Sequence, residues 1–281
     1  MASVSRAGGR GEYVPIPKVA HASRLRSLPA QVRRGTNPSD WRTRGTRYIH
    51  PMIAVTFALP AESSQFLRRL GNKSRTNRNG IRIVRGTIGH RSVEVIHTGV
   101  GKNICNERIR KFLENQQFDF LISAGFAGSL NHQLQVNDLL VAKNFSTVDL
   151  KHPSLSNVSI FPANMLTVPA LIDSSEERER LARDSGASAV DMETEFIARA
   201  CAIYGIPLLA LRVITDTPTQ LFPAPPSVLF DIQRQRTHIT ALAKFFLTNP
   251  KRIPCLIQFA KRIARARRIL TNALVAVVNE L

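Results

Sequence analysis

The chain has 281 residues, of which 43% are apolar and 21% charged, a composition typical of a globular protein with one generous core. Its formal charge of +19 suggests a polyanionic partner at first sight, but residues 1–51 carry +8 and residues 251–268 carry +7, which leaves +4 for the rest. No apolar run approaches the roughly 20 residues that a membrane-spanning helix needs, so we expect a soluble protein.

The first 51 residues are predicted to be a disordered basic leader. They mix Arg, Gly, Ser and Pro with neither a helical nor a strand period. Met52 directly precedes the first clean strand, so an alternative is that part of the leader is an artefact of the choice of start codon. We expect no catalytic structure in residues 1–51.

From Ile53 onward, short apolar strands alternate with amphipathic helices. The predicted elements are strand Ile53–Phe57, a helix near Ala61–Leu70, strands near Ile81–Gly86 and Ser92–His97, a helix near Asn103–Gln116, strands Phe118–Ala124 and Asp138–Ala142, and helices near Ser174–Arg183 and Glu193–Tyr204. Such alternation is typical of α/β layers. We therefore predict a single α/β domain over residues 52–248, with a mixed central β-sheet flanked by helices.

The last third of the chain is predicted to begin with a strand and to end in helices. Pro207–Thr215 is nearly all apolar, which indicates a central strand covered on both faces. Two helices should follow, about Ser227–Leu247 and Pro254–Asn279, separated at Asn249-Pro250. Residues 249–281 are predicted to form a basic amphipathic helical extension.

The basic residues of the last helix leave two interpretations open. Lys261, Arg262, Arg265, Arg267 and Arg268 are interleaved with apolar residues. The pattern fits a helix with a solvated basic face, and it equally admits a surface for anionic lipid, that is, peripheral membrane contact through this helix. No aromatic stacking platform accompanies the charge, so no specific nucleic-acid partner is predicted.

The spacing of the three cysteines bears on metal binding and on the cellular compartment. Cys105, Cys201 and Cys255 lie far apart, without the Cys-x-x-Cys or Cys/His spacing of a zinc site or a disulfide framework. The N-terminus has no apolar core of the signal-peptide type. We therefore expect a cytoplasmic protein.

Five segments contain the candidate site residues. They are Ile53–Glu62 (IAVTFALPAE), His97–Lys102 (HTGVGK), Leu121–Leu130 (LISAGFAGSL) followed by Val136–Val141 (VNDLLV), Ala189–Glu193 (AVDME), and Leu211–Asp216 (LRVITD). Taken singly, small-residue turns after strands are common. In this order, over about residues 53–220, they resemble the nucleoside phosphorylase and nucleosidase superfamily, most closely its methylthioadenosine/S-adenosylhomocysteine nucleosidase branch.

The resemblance assigns two catalytic carboxylates. Glu62 matches the carboxylate that activates water, although on its own it is also an acid that favours a helix start. Asp216 matches the aspartate that binds adenine and delivers a proton to the leaving base, although it also suits the turn Asp216-Thr217-Pro218. As a proton donor, Asp216 has to be protonated when substrate is bound. Pro60 and Ala61 replace acids often found beside the first carboxylate, so the local charge is lower here.

The remaining matches bind substrate. The resemblance places Glu193 on the ribose hydroxyls and Met192 against the sugar, whereas the bare pattern at Glu193 is that of a helix-initial acid. Glycine-rich turns after strands can bring backbone close to a ligand, although as bare motifs they are also ordinary tight turns. The resemblance implies that they line the nucleoside pocket, and Gly99, Phe126, Ala127 and Gly128 are assigned to it. Arg212 is expected to pair with a carboxylate instead of touching substrate.

The resemblance implies hydrolysis of the N-glycosidic bond of an adenine nucleoside, with release of adenine. Alternatives are a phosphate-dependent purine nucleoside phosphorylase, a nucleosidase for a larger or lipid-linked 5′-substituted adenosine, and a nucleoside-binding protein without turnover. Neither glycine-rich loop contains Arg, and Lys102 is their one basic residue, which favours water over phosphate. No metal or organic cofactor is called for, and the protein is expected to be a homodimer.

Overall fold

The computed structural model describes residues 52–148, 159–220, 222–231, 235–237 and 239–280. The leader predicted over residues 1–51 lies outside the described residues. Among the helices that are described, none combines the length and the apolar character needed to cross a bilayer.

Ten strands of the described residues form one sheet. In chain order they are β1 (Met52–Phe57), β2 (Gly71–Arg78), β3 (Ile81–Ile88), β4 (Arg91–His97), β5 (Phe120–Ser129), β6 (Leu139–Ala142), β7 (Ile160–Ala163), β8 (Met165–Thr167), β9 (Ala189–Asp191) and β10 (Leu208–Asp216). The spatial order is β2-β3-β4-β1-β5-β10-β6-β7, and β9 pairs with both β5 and β8. β4, β1, β5 and β10 are parallel neighbours, whereas β3 and β6 pair antiparallel to β4 and β10. The predicted mixed central sheet is confirmed.

Helices cover both faces of this sheet. They are α1 (Pro60–Arg69), α2 (Lys102–Leu113), α3 (Ser175–Ser185), α4 (Thr194–Tyr204), α5 (Pro226–Leu229), α6 (Ile239–Thr248) and α7 (Ile253–Glu280), with a 3-10 turn at Pro250–Arg252 before α7. One apolar cluster joins the sheet to α1 and α7, and a second joins it to α2 and α4. β10 is buried along its whole length, as its nearly all-apolar sequence predicted.

The C-terminal helix is partly built into the core. Its second half contributes Ala266, Leu270, Leu274 and Val278 to the cluster that also contains Phe66 of α1. The basic first half of the helix is mostly exposed. Residues 249–281, predicted as an extension, therefore combine a buried anchor with an exposed, charged end.

The single helix predicted over Ser227–Leu247 is wrong. α5 ends at Leu229, the short strands β11 (Phe230–Asp231) and β12 (Arg236–Thr237) pair antiparallel, and α6 begins at Ile239. Gln235 has a φ of 54°, and its side-chain amide bonds both the backbone N–H and the carbonyl of Val100. This contact from a distant loop holds a left-handed residue that a helix would not accommodate. The pattern also missed β2, because an exposed polar edge strand has no apolar alternation.

Candidate active site

The parallel strands bring the predicted residues to one edge of the sheet. Glu62 follows β1, the loop Gly99–Gly101 follows β4, Phe126 lies in the last half of β5, and Asp216 ends β10. Because these strands are parallel neighbours, their carboxyl ends lie side by side. Ligands in α/β folds bind at this edge.

Glu62 is buried, and backbone donors hold both of its carboxylate oxygens. Its Oε2 accepts a hydrogen bond from the N–H of Leu59 at 2.9 Å, and its Oε1 accepts one from the N–H of Phe126 at 3.1 Å. The side chain thus caps its own helix, as expected of an acid at a helix start, and it also reaches β5 at the candidate site. Burial raises the pKa of Glu62 above its usual 4.5, and the donors and the charge of Arg212 oppose the rise.

Glu193 is the second buried carboxylate of the site, at the start of α4. Its Oε1 accepts a hydrogen bond from the N–H of Gly101 at 3.0 Å, which joins α4 to the glycine-rich loop after β4. Burial, and then the charge of Asp191, raise the pKa of Glu193 to about 8, and the charge of Glu62 adds to the rise. The two glutamates are therefore close enough to influence each other's ionisation.

Arg212 is the centre of a buried network below the two glutamates. Its Nε and Nη2 donate to Oδ2 of Asp191 at 3.1 and 3.0 Å, which confirms the predicted pairing with a carboxylate. Nη1 donates to the carbonyls of Ser123 and Leu211, and Nη2 also to the hydroxyls of Ser123 and Thr194. Asp191 in turn accepts from the backbone and hydroxyl of Thr194 at the first turn of α4. The ion pair therefore ties β10 to the helix that carries Glu193.

A cavity lies beside this network. Glu62, Glu193, Phe126 and Arg212 line it, together with residues of β1, β5 and the segment after β4. Of the predicted site residues, those absent from its lining are Gly99, Ala127, Gly128, Met192 and Asp216. The structure thus brings the two glutamates and Phe126 to one cavity and places Asp216 beside a neighbouring part of β5.

Asp216 is held by a buried arginine that the sequence analysis did not identify. Arg178 of α3 is 1% exposed, and its Nη2 lies 2.5 Å from Oδ2 of Asp216. Oδ1 accepts from the hydroxyl of Thr215 at 2.8 Å. The guanidinium also donates to the carbonyls of Ile172 and Ser129, so it is fixed on three sides. These contacts fix the position of the Asp216 carboxylate beside β5.

Gly128 is required by this ion pair. It faces Asp216 across the β5–β10 pairing, and a methyl group added at its Cα would lie 2.7 Å from Oδ2 of Asp216 and 3.0 Å from Nη1 of Arg178. Its neighbour Ala127 and the predicted sugar contact Met192 are both buried. Gly128 therefore lets the two side chains approach the strand.

Gly99 shapes the loop after β4 without lining the cavity. Its φ of 79° favours glycine, and an added methyl group would lie 2.5 Å from Cγ2 of Ile104. Just before it, Nε2 of His97 lies 2.8 Å from the hydroxyl of Ser63, which joins the loop to α1. Burial, and then the charge of Arg108, lower the pKa of His97 to about 4, so this histidine is neutral at physiological pH.

Arg178, Ser123 and Thr194 lie outside the motif residues that sequence reasoning had assigned a role. Ser123 lies within a matched motif and Thr194 directly follows one, so a search for polar residues in and next to the motifs would have found both. Arg178 stands on a polar helix among other charged residues, so its pattern is that of a solvated face. No local signal marks it as buried.

Two buried carboxylates in a cavity at the carboxyl ends of parallel strands define an α/β enzyme for a small polar substrate. The model of one family, the phosphorylase superfamily, matches residues 52–165 and 164–248. The chain belongs to that superfamily, and the predicted resemblance is confirmed.

Curated relatives of similar sequence include 5′-methylthioadenosine/S-adenosylhomocysteine nucleosidases. The chain is 22% identical to that of Staphylococcus epidermidis over 196 residues, which cover 59% of this chain and 86% of the relative. It is 24% identical to that of Baumannia cicadellinicola over 196 residues, with the same coverage of each chain.

Solved structures of similar fold include a futalosine hydrolase and a 5′-methylthioadenosine/S-adenosylhomocysteine nucleosidase. The native futalosine hydrolase of Helicobacter pylori superposes with a TM-score of 0.61 at 19% identity, over 82% of this chain and 98% of that chain. The nucleosidase of Colwellia psychrerythraea, solved in complex with adenine, superposes with a TM-score of 0.60 at 16% identity, over 83% and 96%. At these identities the likeness establishes the nucleoside phosphorylase-like fold.

Proposed function

We propose that the protein hydrolyses the N-glycosidic bond of an adenine nucleoside of the methylthioadenosine/S-adenosylhomocysteine type and releases adenine. One observation carries the proposal: two buried glutamates, each held by backbone N–H groups, line one cavity, with Asp216 on the neighbouring strand. The names of the curated relatives support the choice of substrate.

Glycoside cleavage creates a sugar cation and a leaving base, and the site has a group for each. In our proposal Glu62 is the general base that takes a proton from the attacking water. Glu193 accepts hydrogen bonds from the ribose 2′- and 3′-hydroxyls. Burial raises the pKa of Glu193, and the two hydroxyl donors would favour its ionised form. Both carboxylates then place negative charge beside the developing cation.

Asp216 is the proposed general acid for the leaving base. Arg178 holds this carboxylate in place, and a general acid must carry the proton that it gives to the leaving base, so Asp216 has to be protonated when substrate is bound. Arg178 acts through Asp216 by fixing where its carboxylate points, and it has no contact of its own with the cavity lining. Asp216→Asn should therefore bind the nucleoside but lose about 10²–10⁴-fold in turnover.

The hydrogen bonds of Arg212 favour water over phosphate as the nucleophile. Among the described residues that line the cavity, Arg212 is the one basic side chain. All three of its nitrogens already donate, to Asp191, Ser123, Thr194 and Leu211. A phosphate would therefore find no unused guanidinium donor there.

The test is adenine release from methylthioadenosine in phosphate-free buffer, followed by chromatography. We expect adenine and free methylthioribose without added phosphate, and an Asp216→Asn sample should control for contaminating activity. Strict dependence on phosphate would make the protein a phosphorylase. A series of adenine nucleosides with different 5′ groups, from methylthio to larger and lipid-linked ones, then identifies the preferred substituent.

The state of the cysteines bears on the compartment of the protein. Cys105 and Cys201 are buried free thiols and Cys255 is an exposed one, which suits a reducing cytoplasm. We propose a homodimer, and sedimentation of the full chain should give twice the monomer mass.

A further inference from the structure

Exposed apolar side chains concentrate at the turn between the last two helices. We call the surface formed by α6, the 3-10 turn and the first turns of α7, residues 239–261, the α6–α7 tip. Leu247 is 83% exposed and Ile239 74%, and Ile253 and Ile257 are also exposed. Half of the large hydrophobic residues that are exposed in the described chain lie on this tip.

The exposed residues of the α6–α7 tip form helical stripes. Ile239, Ala243 and Leu247 follow one another at intervals of four on α6, and all three are exposed. Ile253 and Ile257 have the same spacing on α7. Leu242 and Phe245 of α6 are half-buried and Phe246 is buried, so the helix packs by these residues and leaves the stripe without a described partner.

Positive charge surrounds these stripes. Residues 239–268 contain eight Lys and Arg and no Asp or Glu. Lys244, Lys251, Arg252 and Lys261 are exposed among the apolar residues of the α6–α7 tip. Two copies of such a surface would repel each other, whereas an anionic surface attracts it. Apolar side chains between cations match the layered chemistry of a bilayer surface, in which phosphates lie above acyl chains.

The α6–α7 tip is held firmly at its base. The second half of α7 is buried in the core, and Nη1 of Arg262 donates to the carbonyl of Gln220 at 3.1 Å. Phe259 packs edge-on against Phe222, with ring centroids 6.0 Å apart. These contacts attach the tip to the segment that leaves Asp216 at the end of β10. The apolar stripes are therefore anchored both to the core and to the chain that follows Asp216.

We propose that the α6–α7 tip docks on anionic lipid bilayers. Leu247, Ile253 and Ile257 insert among the headgroups, and the lysines and Arg252 contact lipid phosphates. The helix lies at the surface and does not cross the bilayer, which agrees with the lack of a spanning helix among the described residues. The docking is independent of which nucleoside the cavity binds.

The test is co-sedimentation of the full chain with vesicles of phosphatidylcholine alone and of phosphatidylcholine with phosphatidylglycerol. We expect at least about tenfold more binding to the anionic vesicles, and a loss of binding as salt rises from about 0.05 to 0.5 M. Leu247→Glu and Ile257→Glu should each weaken binding by about tenfold. Ile203→Glu is the matched control, because Ile203 is a 77% exposed isoleucine on α4, away from the tip.

Each other outcome overturns the proposal. Wild type that binds neither vesicle, or equal losses for Leu247→Glu and Ile203→Glu, would show that the α6–α7 tip does not dock on lipid. A change from dimer to monomer in Leu247→Glu would assign the face to a second copy of the chain. Adenine release from a soluble nucleoside should be the same in wild type and Leu247→Glu, so failure of the proposed activity and failure of docking are separate results.

Discussion

Replacing Arg178 by Met should destabilise the fold strongly, because the change leaves the buried Asp216 without its cation. Arg178 and Asp216 are 1% and 4% exposed, so water cannot replace the lost partner. Asp216 would keep one hydrogen bond, from Thr215. Removing one member of a buried ion pair costs about 3–5 kcal/mol. For a domain of this size, that loss corresponds to a fall in Tm of roughly 6–20 °C.

Asp216→Asn should cost less, about 1–3 kcal/mol, because Arg178 keeps the carbonyls of Ile172 and Ser129 and the asparagine oxygen still accepts. The double variant Arg178→Met/Asp216→Asn removes both charges, so its loss should be smaller than the sum of the two single losses. Arg183→Met on the same helix is the control, because the Arg183 side chain is 70% exposed, and it should change stability by less than about 0.5 kcal/mol.

Urea unfolding of wild type and the four variants, monitored by circular dichroism, measures the free energies of unfolding and the coupling between the two positions. The ion pair would have no structural role if Arg178→Met cost less than about 1 kcal/mol. Strict additivity in the double variant would equally refute a direct interaction between the two side chains.

Four further predictions concern the site and the leader. The ribonucleoside should be preferred over its 2′-deoxy analogue by roughly ten- to a hundredfold in kcat/KM, and Glu193→Gln should shrink that preference; equal losses on both substrates would remove Glu193 from the sugar. Because burial raises the pKa of Glu62 and the base must be ionised, activity should fall as pH is lowered through a midpoint above 4.5, and a midpoint below that value would contradict the role. Gly128→Ala should displace the Asp216 carboxylate and lower turnover at least about tenfold, with wild-type rates as the contrary result. Deleting residues 1–51 should leave folding and adenine release intact, and loss of soluble protein would contradict this.

Local pattern was enough to predict the parts of the fold that obey local rules. The apolar run in Leu208–Asp216 marks a strand buried on both faces, and the turns after β1 and β4 mark the edge at which the site lies. Glu62 and Glu193 were identified because each stands at a strand-to-helix junction in a motif of fixed order. The interruption between α5 and α6 was missed because Gln235 takes its conformation from a contact with Val100, far away in the chain.

The sequence by itself determined the α/β architecture, the superfamily and the carboxylates at the strand ends, because these depend on residue type, spacing and order along the chain. The tertiary structure alone decided which side chains meet. Arg178 reaches Asp216 across 38 positions, and Glu62 reaches the N–H of Phe126 across 64. It also decided that one half of α7 is buried while the α6–α7 tip stays exposed. Such pairings depend on how helices pack on the sheet, and packing is a long-range property that no local period records.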